Sequence, residues 1–338
     1  MYVRRSIRFS LIWQFAWKNV LGFTVWATVV TLGYEYLRRH QGLDIRLPFL
    51  PLSTIGIAVA FYLSFKNNQS YDRFWEARKV WGGIVNQSRV WATQVRGYVS
   101  NRLALLPLPA AELHATQQEL IYRQLAWLNA LRLQLRRTTI YDRRNLSHVP
   151  DLRLPVGAPG DPQVQDFLSP DEYARVALLA NPATQLLHRQ SIRLQELQEE
   201  GLLDDFRHVD LMATLKECYN LQGACERIKN TPFPRQYAYF STLFVWIFVA
   251  LLPLGLVSEF SMLKGVGFVW LTIPFSVLIS WIFLTIEIVG DNSEDPFENY
   301  INDVPMTSLC RNIEIDLREM LDETNMPPRM QPVNDILL

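Results

Sequence analysis

The sequence predicts an all-α membrane protein with four transmembrane helices and a large helical cytosolic region lodged between the second and the third. Three observations carry that prediction. Hydrophobic residues fill 49% of the 338 positions and aromatic residues 12%, more than a water-soluble chain needs, while 20% of the chain is charged. Four apolar runs approach or reach the length that crosses a bilayer. No run between Gly82 and Gln236 does so, although apolar residues recur there with helical spacing.

Residues 1–19, MYVRRSIRFSLIWQFAWKN, set Arg4, Arg5, Arg8 and Lys18 among large apolar side chains and read as an uncleaved amphipathic helix on the membrane surface. The first span follows from Val20 to about Leu37, free of charge until Glu35, and ends in the polar turn RRHQGLDIRLP. A second span re-enters near Phe49 and loses its apolar character at Lys66, Asn67, Asn68 and Gln69. Helical periodicity nevertheless continues through Tyr71, Phe74, Trp75, Ala77, Arg78 and Trp81, so the helix either runs on or breaks into a cytosolic continuation. Residues 20–81 therefore form one unit. Asp72, Arg73, Glu76 and Arg78 are spaced for ion pairs along that continuation.

Residues 82–236 form the cytosolic helical region. Leu120, Leu125 and Leu128 beside Trp127, then Leu211, Leu215 and Tyr219, mark apolar helix faces. The Pro-, Gly- and Asp-rich stretch from Tyr141 to Phe167 reads as a loop. The next helix has Ser169 as N-cap, Pro170 at the first helical position and Glu172 at the third, and Gly201 suits a helix end. Residues 237–290 hold the third span, Tyr237 to Val257, and the fourth, Val266 to Gly290, interrupted by Pro253 and Pro274. In the cytosolic segment 291–338, Asp303 and Thr307 flank Pro305 as helix-start signals, and Ile313, Leu317 and Leu321 form the stripe of a last amphipathic helix. The final residues, from Pro327, are expected to be extended and to lie on a neighbouring subunit. Four spans put both termini on one face of the cell membrane, which the basic N-terminus assigns to the cytosol.

Several function classes drop out. The formal net charge is zero, so charge implies no nucleic-acid partner. Cys218, Cys225 and Cys310 are an odd set without CxxC spacing, and the five histidines show no HExxH, so neither a disulfide framework nor zinc is expected. No GxSxG, Walker loop or dinucleotide fingerprint appears, and the chain is not read as an enzyme. What remains is the second span. Ile57, Phe61 and Phe65 recur at i, i+4 and i+8 beside a ladder of small residues, Gly56, Ala60 and Ser64. The large ladder either packs on lipid or core, or lines the axis of an oligomer as a dewetting constriction.

Three stretches bear on that choice: FKNNQSYDRFWEARKVWG from Phe65, CERIKNTPFP from Cys225 and EDPFENYINDVPM from Glu294. Together, in this order and with these apolar segments between them, they resemble the bestrophin family, particularly its bacterial members. The resemblance covers most of the chain and is least marked from about Asn101 to Glu200 and in the last dozen residues. It implies a homopentameric ion channel in the lipid bilayer whose second helices line a hydrophobic neck, here Ile57, Phe61 and Phe65. It further implies passage of small monovalent ions, chloride and other anions in the pattern that the two phenylalanines match, with monovalent cations as the alternative. A second aperture is implied where Arg207, His208 or Val209 stands. Family members gated by calcium carry an acidic run after the PF of the tail. Asp295 and Asp303 match ligand-bearing positions here, but Asn299, Tyr300, Ile301 and Asn302 replace most of the run, so no calcium requirement and no other cofactor are expected. A membrane-anchored scaffold remains the reading from a different class.

Overall fold

The computed structural model describes residues 1–7, 9–44, 46–102, 104, 106–137, 161–263, 267–300, 302–333 and 335–337, apart from the side chains of 9–11, 14 and 15. Helices α1 (Phe9–His40) and α2 (Phe49–Tyr98) open the chain, followed by α3 (Ala110–Leu135), α4 (Pro170–Ala177), α5 (Pro182–Glu199) and α6 (Asp205–Asn230). Then come α7 (Arg235–Met262), α8 (Thr272–Glu294) and α9 (Met306–Met320). Among the described residues there are no strands, only isolated bridges. Four segments are long and apolar enough to cross a membrane: Ala16–His40, Phe49–Tyr98, Arg235–Met262 and Phe268–Glu294.

No residue between Lys18 and Val20 breaks a helix, and the amphipathic start and first span are accordingly one helix, α1. The second span also runs on. α2 is a single helix of 50 residues, about 75 Å long, and the division at residue 81 falls inside it. Its first third packs on α7 and α8 through Leu52, Val59 and Leu63, with Val245, Phe248, Leu252, Leu284 and Ile288. Two glycines let these helices meet. A Cβ on Gly56 would lie 2.8 Å from the Phe248 ring, and one on Gly255 would lie 2.3 Å from Leu52. The last two thirds of α2 enter a separate core in which Trp81, Ile84, Trp91 and Val95 pack with Leu120, Leu125, Trp127 and Leu128 of α3 and Leu211 and Leu215 of α6. Two of its indoles are satisfied, Trp91 Nε1 donating to the Leu120 carbonyl at 3.2 Å and Trp127 Nε1 to Gln222 Oε1 at 2.9 Å, while Trp81 Nε1 is buried without a partner among the described residues.

Local signals decide the remaining boundaries. Ser169 Oγ accepts the Glu172 amide at 3.3 Å, but α4 stops at Ala177. Asn181 then caps α5 through the Thr184 amide at 3.0 Å, a restart hidden in the NPAT run. Gly201 takes φ +75°, the left-handed value that ends a helix. Pro253 lies inside α7, whereas Pro274 sits in the first turn of α8, where a missing N–H costs no helical bond and interrupts nothing. Ile313, Leu317 and Leu321 are buried as the stripe of α9 requires. The two ends meet within one chain: Tyr2 bridges Ile336, and the Leu337 amide donates to the Met1 carbonyl at 2.8 Å. Most of the loop expected from Tyr141 to Phe167 lies outside the described residues; Val164–Phe167 forms one 3-10 turn.

Candidate permeation site

Helix α2 turns one stripe inward, Leu52, Gly56, Val59, Leu63, Lys66 and Ser70, and leaves the other side bare. Ile57, Phe61 and Phe65 stand on that bare side, 63%, 78% and 51% exposed. All three share one face, separated by one helical turn each. Phe65 is the most sheltered because its ring rests against Tyr237 of α7, centroids 6.0 Å apart, and Tyr237 in turn stacks on Tyr62 at 6.1 Å. The small ladder divides: Gly56 is buried under Phe248, while Ala60 and Ser64 are exposed beside the phenylalanines. Within the chain, only the first of the three small residues serves a helix contact among the described residues.

Beyond Phe65 the same side of α2 carries Asn68, Asp72, Trp75, Lys79 and Asn86, all exposed. The ion pairs expected along this stretch run across to other elements instead. Arg73 donates to the Glu294, Thr231 and Ile228 carbonyls at 2.9, 2.9 and 3.1 Å, and Glu76 pairs with Arg227 of α6. The reason is geometric: backbone carbonyls at the end of α6 and of α8 stand opposite Arg73.

Helix α6 packs antiparallel along α2, so its first turn lies beside Tyr98, about 50 Å from Phe65 at 1.5 Å per residue. Asp204 caps it by accepting the Arg207 amide at 3.0 Å. The three aperture candidates face differently. Arg207 is half-buried, its guanidinium 5.5 Å over the Tyr98 ring and its Nε 3.2 Å from Asp204 Oδ2. His208 is half-buried, with Nε2 enclosed and without a hydrogen-bond partner among the described residues. Val209 is 67% exposed, and Phe206, which the sequence reading passed over, is 89% exposed. Phe206 was legible in principle as a large aromatic in the first turn of a capped helix, a place where an apolar side chain has nothing local to pack on.

The tail carboxylates do not suit a calcium clasp. Asp295 lies 3.7 Å from the Arg73 guanidinium, and Glu298 pairs with Lys229. Asp303 is buried; burial pushes its carboxyl up to about 7, against the Tyr300 amide that it accepts at 3.0 Å and the positive charge of Arg136. Burial likewise holds Arg136 down at about 10. A clasp for a hard divalent ion needs several ionised oxygens converging without competing cations. No cluster of three or more His, Cys, Asp or Glu that could hold a metal ion occurs among the described residues. The cysteines are buried apolar fillers, with the thiols of Cys218 and Cys310 pushed up to about 12 by desolvation.

Comparison with known proteins agrees with this architecture. The model of the family described as Bacterial/Fungal Bestrophin protein matches residues 3–319. A voltage-dependent anion channel-forming protein of Mesorhizobium japonicum is 31% identical over 315 residues, 93% of this chain and 87% of that protein. The voltage-dependent anion channel-forming protein YneE of Escherichia coli strain K12 is 29% identical over 87% of this chain and 83% of its own length. Among solved structures, a bacterial bestrophin homolog from Klebsiella pneumoniae superposes with a TM-score of 0.73 at 26% identity, over 90% of this chain and 98% of that one. An all-helical chain with four membrane-length helices, matched by the family model over nearly its whole length, belongs to the bacterial and fungal bestrophin family.

Proposed function

We propose that the protein is an ion channel that passes small monovalent anions such as chloride through a central pore, formed by five copies with α2 innermost. The observation that carries this reading is the bare ladder of Ile57, Phe61 and Phe65 on a helix whose other side is buried. That bare face continues past the apolar span as the exposed Asn68, Asp72 and Lys79, and the far end of α2 lies beside a second exposed apolar pair, Phe206 and Val209 in the first turns of α6. Apolar constrictions gate by dewetting, and phenylalanine edges directed at the axis favour anions. The relatives named as anion channel-forming proteins support the same sign.

In this reading both termini lie in the cytosol, Ile57, Phe61 and Phe65 form the neck, and Val209 with Phe206 forms the cytosolic aperture. Arg207 is turned against Tyr98 and Asp204 and acts on that aperture at a distance. The channel opens without calcium, since Arg73, Arg136 and Lys229 already attend the tail acids. Chemistry on a substrate is no part of the reading. The decisive experiment is the reversal potential of purified protein in a planar bilayer under asymmetric KCl. A shift to the chloride equilibrium potential is expected; a shift to that of potassium means a cation channel, and silence under both polarities returns the chain to a scaffold.

A further inference from the structure

One group of buried charges takes no part in the permeation pathway described above. Lys66, immediately after Phe65, is sealed between α2 and α8, where its Nζ donates to Glu287 Oε1 at 2.8 Å and to Asp291 Oδ1. Glu287 also accepts from two hydroxyls of α7, Ser241 Oγ at 2.7 Å and Thr242 Oγ1 at 2.6 Å. Next to Lys66, Asn67 Nδ2 donates to the Ile286 carbonyl at 3.2 Å. The Asn67 side chain fits because Gly290 has no Cβ; one there would lie 2.0 Å from Asn67 Oδ1. Three helices thus converge on a single polar knot.

Its position matters more than its strength. The inward stripe of α2 is apolar through Leu52, Val59 and Leu63 and becomes polar at Lys66 and Ser70. Above the knot, α2 meets α7 and α8 through apolar contacts held by shape alone, the fit of Phe248 over Gly56 and of Leu52 over Gly255. At Lys66 the contacts are directional and charged, and moving them exposes an unpaired charge to an apolar surrounding. A buried ion pair adds little to stability compared with an apolar filling of the same shape, but a movement that separates its partners strands a buried charge, so the pair favours one geometry over its neighbours. Phe65 and Lys66 are successive residues about 100° apart around the helix, so whatever fixes Lys66 fixes the direction of Phe65.

We propose that Lys66, Glu287 and Asp291, with Ser241 and Thr242 holding Glu287, are positioning residues that set the rotation of α2 and so the aperture that Phe65 presents at the extramembrane end of the neck. The inference rests on the neck reading given above. Because α8 leads directly into the tail, where the Glu294 carbonyl receives Arg73 of α2, movement of the tail reaches the neck through the same helix pair.

The test compares three channels with the wild type in planar bilayers. D291N leaves the Lys66–Glu287 pair and both hydroxyl donors in place; K66M/E287Q/D291N removes the lysine and both of its carboxylates as a unit, so none of the three is left buried with an unpaired charge; F65A reports on the neck itself. Elution volume in detergent checks assembly. The expected result is native assembly for D291N and at least a threefold change in unit conductance or open probability, larger for K66M/E287Q/D291N. A purely structural role would lower thermal stability and leave the unit conductance of assembled channels at the wild-type value, and that result for D291N overturns the proposal. If F65A also conducts like the wild type, the neck assignment fails first; if F65A changes the current and D291N does not, only the positioning role fails.

Discussion

Upstream of Lys66, α2 buries Leu52, Gly56, Val59 and Leu63 and exposes Ile57, Phe61 and Phe65; downstream it buries Trp81, Ile84, Trp91 and Val95 and exposes Asp72, Lys79 and Asn86. The periodicity is continuous across the change and the chemistry of the bare face inverts. In water, an exposed phenylalanine ladder on a regular helix would be a liability; in a membrane it marks contact with lipid, another subunit or a dewetted pore. The inward faces differ too. The membrane half relies on small residues that bring backbones together, and the extramembrane half on large indoles in a closed core. Tyr71 and Trp75, exposed and stacked with centroids 6.4 Å apart just past the boundary, belong to neither pattern.

The sharpest way to break this contrast is W91A. Trp91 is fully buried, and its loss is expected to destabilise the extramembrane core by about 3–5 kcal/mol, read as an earlier chemical unfolding transition in detergent. A loss below about 1 kcal/mol would mean that the two halves are not packed differently after all. Next comes G255A, where the new methyl must push Leu52 aside. It should cost about 1–3 kcal/mol and loosen the α2–α7 contact, whereas G97A, with open space around it, should be near neutral by the same unfolding measurement.

F61A sharpens the comparison from the other side. Phe61 touches little within the chain, so the unfolding free energy should change by no more than about 0.5 kcal/mol while the unit conductance or selectivity changes. A stability loss like that of W91A would make the ladder a packing face. A separate effect concerns pH. Burial raises the Asp303 carboxyl from 3.8 to about 7, so the folded chain holds a proton that the unfolded chain has released. Stability contributed by this group is therefore present below about pH 4 and lost as pH rises towards 7, and D303N should flatten that part of the stability profile.

Features that depend on neighbours in sequence were legible without a structure. Hydropathy marked the spans, the i, i+4 spacing marked Ile57, Phe61 and Phe65, and local capping chemistry marked Ser169. Periodicity cannot tell which of two adjacent ladders packs inward, and it placed Gly56, Ala60 and Ser64 together although only Gly56 meets another helix. Nor does it register the restart at Asn181, which is written in the same cap chemistry as Ser169, an N-cap side chain followed by Pro182 at the first helical position.

By itself, then, the sequence determined the number and order of the membrane helices, the apolar ladder and the stripe of the last helix, because hydrophobic transfer and helical spacing act over a few residues at a time. Tertiary structure alone decided that Lys66 meets Glu287 and Asp291, that Arg207 lies against Tyr98 instead of pointing outward, that Asp303 is buried beside Arg136 and that the chain ends join at Tyr2 and Ile336. Each of these pairs charged or polar groups far apart in the chain. Whether such a group is solvated, neutralised or sealed depends on which helix folds over it, and residue type does not encode that.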